Sequence, residues 1–170
     1  MMTPVLRRTW GRRGITPTIA VRARSHEKVS GIGALLVSPR RRRLRLALAL
    51  YPKDNIRGPQ VLRFLRHLRR HIGGPAVLLW DRGRSHRHRH VRQWLATHPR
   101  WHVVWFPPYA PELNPVEQLW TYLKYGRLAN FAPDDVSEIG GEVRRELARL
   151  RRRPTLLRSF FHHSGLPFRV

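Results

Sequence analysis

Leucines at every second position from 44 to 50, separated by Arg45, Ala47 and Ala49, give RLRLALALY (43–51) a strict two-residue hydrophobic period. That is the period of a strand with one buried face. KVSGIGALLV (28–37) reads as a strand as well, and SPRRRR between them as a turn, so 28–51 is expected to form a β-hairpin. The period then changes. Val61, Leu65, Leu68 and Ile72 recur at helical spacing with arginines between them, behind Gly58-Pro59, which predicts a helix over 59–72. AVLLW (76–80) is apolar without interruption, as in a strand buried on both faces, and Asp81 ends it, giving a strand over 76–81.

SHRHRHVRQWLATH (85–98) reads as a helix with His86 and His90 on one face, and HVVWF (102–106) as a further buried strand. Strand, helix, strand is a parallel crossover unit, and ligands of such sheets sit beyond the carboxyl ends of the strands. Asp81 lies at that end, and so does the loop PPYAPELNP that leads into a helix expected over 115–125. In that helix Val116, Leu119, Trp120 and Leu123 make the apolar stripe, whereas Glu117, Thr121 and Lys124 share another face. Val136, Ile139, Val143, Leu147 and Leu150 predict a last amphipathic helix over 134–153, with acids at its start and RRRP at its end. Residues 1–27 are basic and turn-rich, with no strong core strand.

Glu117 invites two readings. Asn114 caps a helix, Pro115 takes its first position, and a carboxylate at the third position can reach back to the cap. Alternatively, Glu117 and Asp81 converge on a metal ion.

Composition narrows the partners. With 34 Lys and Arg against 10 Asp and Glu, the 170-residue chain has a formal charge of +24, and nucleic acid is the default partner of such a surface. The competing explanation is the coding bias of a GC-rich genome. The length suits one domain. The absence of cysteine excludes disulfides, thiolate catalysis and Cys-based zinc sites. His86, His88 and His90 could serve a transition metal, but no third ligand of the right kind is evident, and their alternation with arginine suits a DNA-facing surface. No window approaches a membrane span and MMTPVLRRTWGRRG lacks the apolar centre of a signal peptide, so a cytoplasmic, nucleoid-associated protein with no membrane partner is expected.

LLWDRGRSH, followed by VVWFPPYAPELNPVEQLWTYLK, resembles the second and third acidic motifs of DDE-type transposases, in the bacterial insertion-sequence group related to the mariner superfamily. The match runs in order through Asp81, His86, the Pro-Pro-Tyr loop, Glu117, Trp120 and Lys124, with the two acids 36 positions apart. TWGRRGITP and VSGIGAL resemble segments that follow the first acidic motif of the same group. The resemblance implies an α/β, ribonuclease H-like mixed sheet flanked by helices, and metal-dependent cleavage and joining of DNA ends. Asp81 and Glu117 would be catalytic metal ligands, with His86 and Lys124 toward DNA, and by their charge the surrounding Arg82 and Arg84 would neutralise DNA phosphates. Two Mg²⁺ or Mn²⁺ ions would be expected, because in-line displacement at phosphorus is served by a pair of hard cations roughly 3.5–4 Å apart that need few protein carboxylates. Transposon ends and target DNA would be the partners, together with a second copy of the chain.

Two departures shape the expectation. Arg82 stands where the group usually has Asn, and a guanidinium there could pair with Asp81. The group's first catalytic Asp lies on a central strand upstream of the TWGRRGITP segment, and the only acids before Asp81 are Glu27 and Asp54, neither in the corresponding place. The chain is therefore expected to lack that strand and its Asp, and the helix-turn-helix region before it. It would be a decayed copy, a product of a misplaced start codon, or one half of a split frame that joins the product of an upstream reading frame, with impaired activity. A basic nucleic-acid-binding protein without catalysis is the alternative, and an active nuclease with another third ligand is a further one.

Overall fold

The structure is a computed structural model that describes residues 5–20, 28–39 and 43–165. Strand β1 (Val29–Val37) pairs antiparallel with β2 (Leu44–Pro52), with Gly31 opposite Leu50 and Val37 opposite Leu44. Strand β3 (Ala76–Trp80) pairs in parallel with β4 (Trp101–Trp105), joined through helix α2 (Arg89–Ala96). Among the described residues these remain two separate two-stranded sheets, not one mixed sheet. Helix α1 (Gly58–Ile72) connects them and packs on both. Its buried Val61, Leu65 and Leu68 belong to one cluster with Ile32 and Ala34 of β1 and with Ala76 and Leu78 of β3. The two sheets therefore share a helical layer without sharing hydrogen bonds.

The opposite face of the hairpin carries the alternating leucines. Leu44, Leu46, Leu48 and Leu50 pack into a second cluster with α3 (Pro115–Thr121), α4 (Val136–Arg151) and α5 (Pro154–His163). Glycine decides how close α3 comes: a Cβ on Gly31 or Gly33 would meet the Trp120 ring at 3.2 or 3.1 Å. The indole lies against bare backbone, which brings the start of α3 over β1.

Several elements differ from expectation. Helix α2 begins at Arg89, not Ser85, because the His88 side chain accepts the His90 amide and caps it there. His86 consequently sits in the preceding turn and shares no helix face with His90, which removes the geometric basis for a two-histidine metal pair. The helix from Pro115 is α-helical only to Thr121 and continues as a π-helix over Tyr122–Arg127. The face of Glu117, Thr121 and Lys124 is therefore broken between its second and third members. After α4 the chain turns at Arg152 and Arg153 into α5, an element the periodicity did not suggest.

Strand β3 is covered on one face only, with Val77 and Leu79 60% and 54% exposed on the other. Among the described residues the basic N-terminal segment joins neither sheet: Val5 bridges Ala129, and Arg7 exchanges hydrogen bonds with the Asn130 side chain. Glu27 and residues 40–42, half of the SPRRRR turn, lie outside the described residues. Among the described residues no helix is long and apolar enough to cross a membrane.

Candidate functional site

Asp81 is the first residue beyond β3, and its carboxylate is held by a tight local turn. Asp81 Oδ1 accepts the Gly83 amide at 2.7 Å and lies 2.8 Å from His86 Nδ1. Position 83 has to be glycine for this contact, since a Cβ there would stand 2.8 Å from the same oxygen. The His86 ring is fixed by stacking on Trp80, with centroids 4.4 Å apart, and Trp80 stacks in turn near Trp105 of the neighbouring strand. The aromatic ends of β3 and β4 thus support the ring that holds the carboxylate.

Glu117 comes to the same place from α3. Asn114 Oδ1 accepts the Val116 amide at 3.2 Å and caps the helix alone. The capping box the sequence allowed is not made: the Asn114 amide goes to the Pro111 carbonyl, the Glu117 amide goes to the Asn114 carbonyl, and the Glu117 carboxylate accepts no hydrogen bond among the described residues. That carboxylate is half-buried. Burial pushes its pKa up, and the nearby Asp81 charge pushes it further in the same direction. Two carboxylates on separate elements thus lie within each other's field, one ordered by an amide and an imidazole, the other without a partner.

The remaining expected residues fall out differently. Arg82 donates its Nε–H to the Phe106 carbonyl at 3.3 Å and makes no ion pair with Asp81 among the described residues. The Arg82–Asp81 pair that the sequence allowed is therefore not formed among the described residues. Arg84 is exposed in the turn between Asp81 and His86. Lys124 is exposed within the π-helix, its Nζ 5.2 Å from the centroid of the adjacent Tyr125 ring. Asp54 belongs to the start of α1, where its carboxylate accepts from the Asn55 amide and from Gln60 Nε2 at 2.6 Å.

Two further residues were not singled out from the sequence. Gly83 is the third residue of an Asp-x-Gly turn, and that spacing was a legible signal. Tyr109, in the loop before α3, is fully exposed with φ at 57°, a conformation unusual for an aromatic residue, and only the flanking prolines hinted at it.

No group of three or more His, Asp or Glu side chains placed to hold a metal ion occurs among the described residues. The donor set at Asp81 and Glu117 nevertheless fits a hard divalent cation. Both are oxygen ligands, and like charges brought together at a half-buried position are relieved by a cation between them.

In overall shape the chain is similar to three solved structures. The Mos1 strand transfer complex matches with a TM-score of 0.61 at 16% identity, over 95% of this chain and 46% of that one. The Mos1 mariner paired-end complex with Mn gives 0.61 at 17% identity, over 96% and 48%. The Mos1 transposase paired-end complex with the left transposon end gives 0.57 at 20% identity, over 98% and 52%. The chain thus spans about half the length of these relatives. No curated protein matches it. The family profile described as DDE superfamily endonuclease matches residues 2–139, a span that contains both sheets, Asp81 and Glu117, and on that match the chain belongs to the DDE superfamily of endonucleases.

Proposed function

We propose that this chain is the catalytic domain of a DNA transposase, with a ribonuclease H-like arrangement in which Asp81 and Glu117 bind a divalent cation, Mg²⁺ or Mn²⁺, at the DNA strand to be cut. The observation that carries the reading is the Glu117 carboxylate: half-buried, without a hydrogen-bond partner among the described residues, and raised in pKa by burial and by Asp81. A residue serving only as a helix cap would spend its carboxylate on the backbone. When bound, a pair of such cations would supply activation of the attacking oxygen and stabilisation of the leaving one.

The chain's own residues do the rest. Asp81 is pre-oriented by the Gly83 amide and by His86. Arg84 and Lys124, exposed near the two carboxylates in sequence, would meet phosphate oxygens, which suits their charge and lack of acidic partners. Arg82, tied to Phe106, would orient the end of β4.

A third carboxylate belongs to this reading, and the lack of shared hydrogen bonds between the two sheets among the described residues supports a further strand between them. A parallel strand seated between β1 and β3, under α1, would join them into one mixed sheet and could carry an acid at its carboxyl end beside Asp81. Such a strand could come from an upstream reading frame. The 170-residue chain alone would then give no strand transfer and at most trace nicking. One observation favours a DNA-binding protein without catalysis instead: the described residues hold two acids at this site, not three.

Cleavage of a labelled duplex bearing the transposon end, with Mg²⁺ or Mn²⁺, separates these readings. The chain supplemented with an Asp-bearing strand, fused in frame or added in trans, is expected to cut. Asp81→Asn and Glu117→Gln are each expected to abolish cutting while retaining DNA binding. Full activity in either variant would overturn the metal-site reading, and robust cutting by the unsupplemented chain would overturn the need for a third ligand from elsewhere.

A further inference from the structure

Charge is distributed unevenly over the fold. Between Asn55 and Pro111 the sequence holds one acid, Asp81. The acids from 134 to 146 lie at the start of α4 or along it: Asp135 caps the helix, Glu138 accepts the Asp134 amide, and Glu142 and Glu146 pair with Arg145 at 2.6 Å and Arg149 at 3.1 Å. A uniform coding bias toward arginine explains the total but not this partition.

The outer side of α1 carries a row of unpaired arginines. Arg63, Arg66, Arg69 and Arg70 are all exposed, make no ion pair among the described residues, and line a groove between α1 and α2 with Trp94 and His98. The inner side of the same helix, Val61, Leu65 and Leu68, faces the sheets, so the groove lies on the layer away from them. Like charges three and four positions apart destabilise the isolated helix.

The geometry points to this α1–α2 groove as a docking surface for the phosphate backbone of duplex DNA, separate from the carboxylates. The inference rests on the reading of the protein as one that acts on DNA, and adds where a duplex is held. Arg63, Arg66 and Arg70 follow one face of α1 over about 10 Å, a length along which one strand of a duplex presents about three phosphates. The groove is a row of guanidinium groups, which suits a linear polyanion more than a compact one.

Bases are not read here. Trp94 is 9% exposed, its ring covered by His98 at 4.1 Å and met edge-on by Trp101 at 5.4 Å, so no aromatic face is free for an unpaired base to stack on. Backbone contact without stacking gives binding that is indifferent to sequence and steep in salt.

The test is equilibrium binding of the whole chain to a labelled duplex of arbitrary sequence, without divalent metal, at several salt concentrations. Three proteins are compared: the unaltered chain, Arg63→Gln/Arg66→Gln/Arg70→Gln, and Arg151→Gln/Arg152→Gln/Arg153→Gln, which removes the same charge from the end of α4. The groove variant is expected to flatten the plot of log K against log salt by about 3, and the control by less than about 1. The groove variant should also melt at a higher temperature without DNA, through relief of repulsion along α1, which shows that it is folded. Equal flattening in both variants, or none in the groove variant, would overturn the groove while leaving DNA as partner. An unaltered chain that binds DNA without salt dependence would overturn the DNA reading itself, and the groove with it.

Discussion

His86 Nδ1 lies 2.8 Å from Asp81 Oδ1, and the two side chains differ in exposure, 15% for the histidine and 51% for the aspartate. The less exposed partner is thus the one that fixes the accessible one, with Trp80 behind it at 4.4 Å. An imidazole that orients a ligating carboxylate supports metal affinity without touching the metal. His86→Ala is expected to leave the fold intact and to weaken Mn²⁺ binding at Asp81 about 10-fold, read by calorimetric titration. His86→Asn, whose amide can still donate, should recover part of the loss. Equal affinity in all three proteins would reduce His86 to a packing role on Trp80.

Glu117 gives a stability signature that needs no catalysis. Its pKa is raised in the fold, by burial first and by Asp81 second, so the ionised carboxylate subtracts from stability above its ordinary value of 4.5. That subtraction is relieved as the pH falls through the raised folded value. At pH 7 without metal, Glu117→Gln should therefore melt at a higher temperature than the unaltered chain. Adding Mg²⁺ or Mn²⁺ should raise the melting temperature of the unaltered chain and leave the variant nearly unmoved. A destabilised Glu117→Gln would point to a structural hydrogen bond for the carboxylate.

Glu146 behaves in the opposite sense. It is 1% exposed, and its carboxylate accepts from the Tyr122 hydroxyl at 2.6 Å and from Arg149 at 3.1 Å, with Arg127 Nε 3.3 Å away. Burial works against ionisation, but the hydroxyl and the two guanidinium groups outweigh it and hold the pKa below the ordinary range. These bonds tie the π-helix to α4. The stabilisation is present above 4.5 and is lost as the pH falls through the lower folded value. Glu146→Ala should cost about 1–3 kcal/mol at pH 7, less than a fully buried pair would because Arg127 and Arg149 stay 43% and 60% exposed. In denaturant titrations the difference from the unaltered chain should shrink below pH 4.5; a constant difference down to pH 3 would mean that packing, not charge, is lost.

The periodic elements were legible in the sequence because their burial is one-sided. Alternating leucines in β2 face α3 to α5, and the Val61, Leu65, Leu68 stripe of α1 faces the sheets, so a two-residue and a helical period reported real faces. What escaped was local chemistry that overrides periodicity. His88 ends the turn and starts α2 with its own ring nitrogen, and nothing in the spacing of apolar residues marks a histidine cap. The π-helix after Thr121 is tied to α4 through Tyr122, a contact at long range that the sequence does not display. The convergence of Asp81 and Glu117 was legible, since both follow strands of one crossover unit. That the Glu117 carboxylate stays off the cap was not, because Asn114 and Pro115 permit either outcome.

The uninterrupted apolar run AVLLW suggested a strand covered on both faces, and the exposed half of that strand carries the last prediction. Val77 and Leu79 of β3 and Val104 of β4 stand 60%, 54% and 51% exposed on one side of a parallel pair, with Leu79 directly opposite Val104. Among the described residues, β3 pairs only with β4 and β1 only with β2, so each sheet also offers edge backbone groups to another chain. Apolar side chains beside open edges favour association, and charge on such a surface opposes it. The chain should therefore self-associate as its concentration rises, seen as increasing mass by light scattering. Val77→Lys with Leu79→Lys should reduce that association without lowering the melting temperature, because neither side chain is in the core. A chain that stays monomeric at high concentration, or a double variant that unfolds, would show that this face is covered by the chain's own residues.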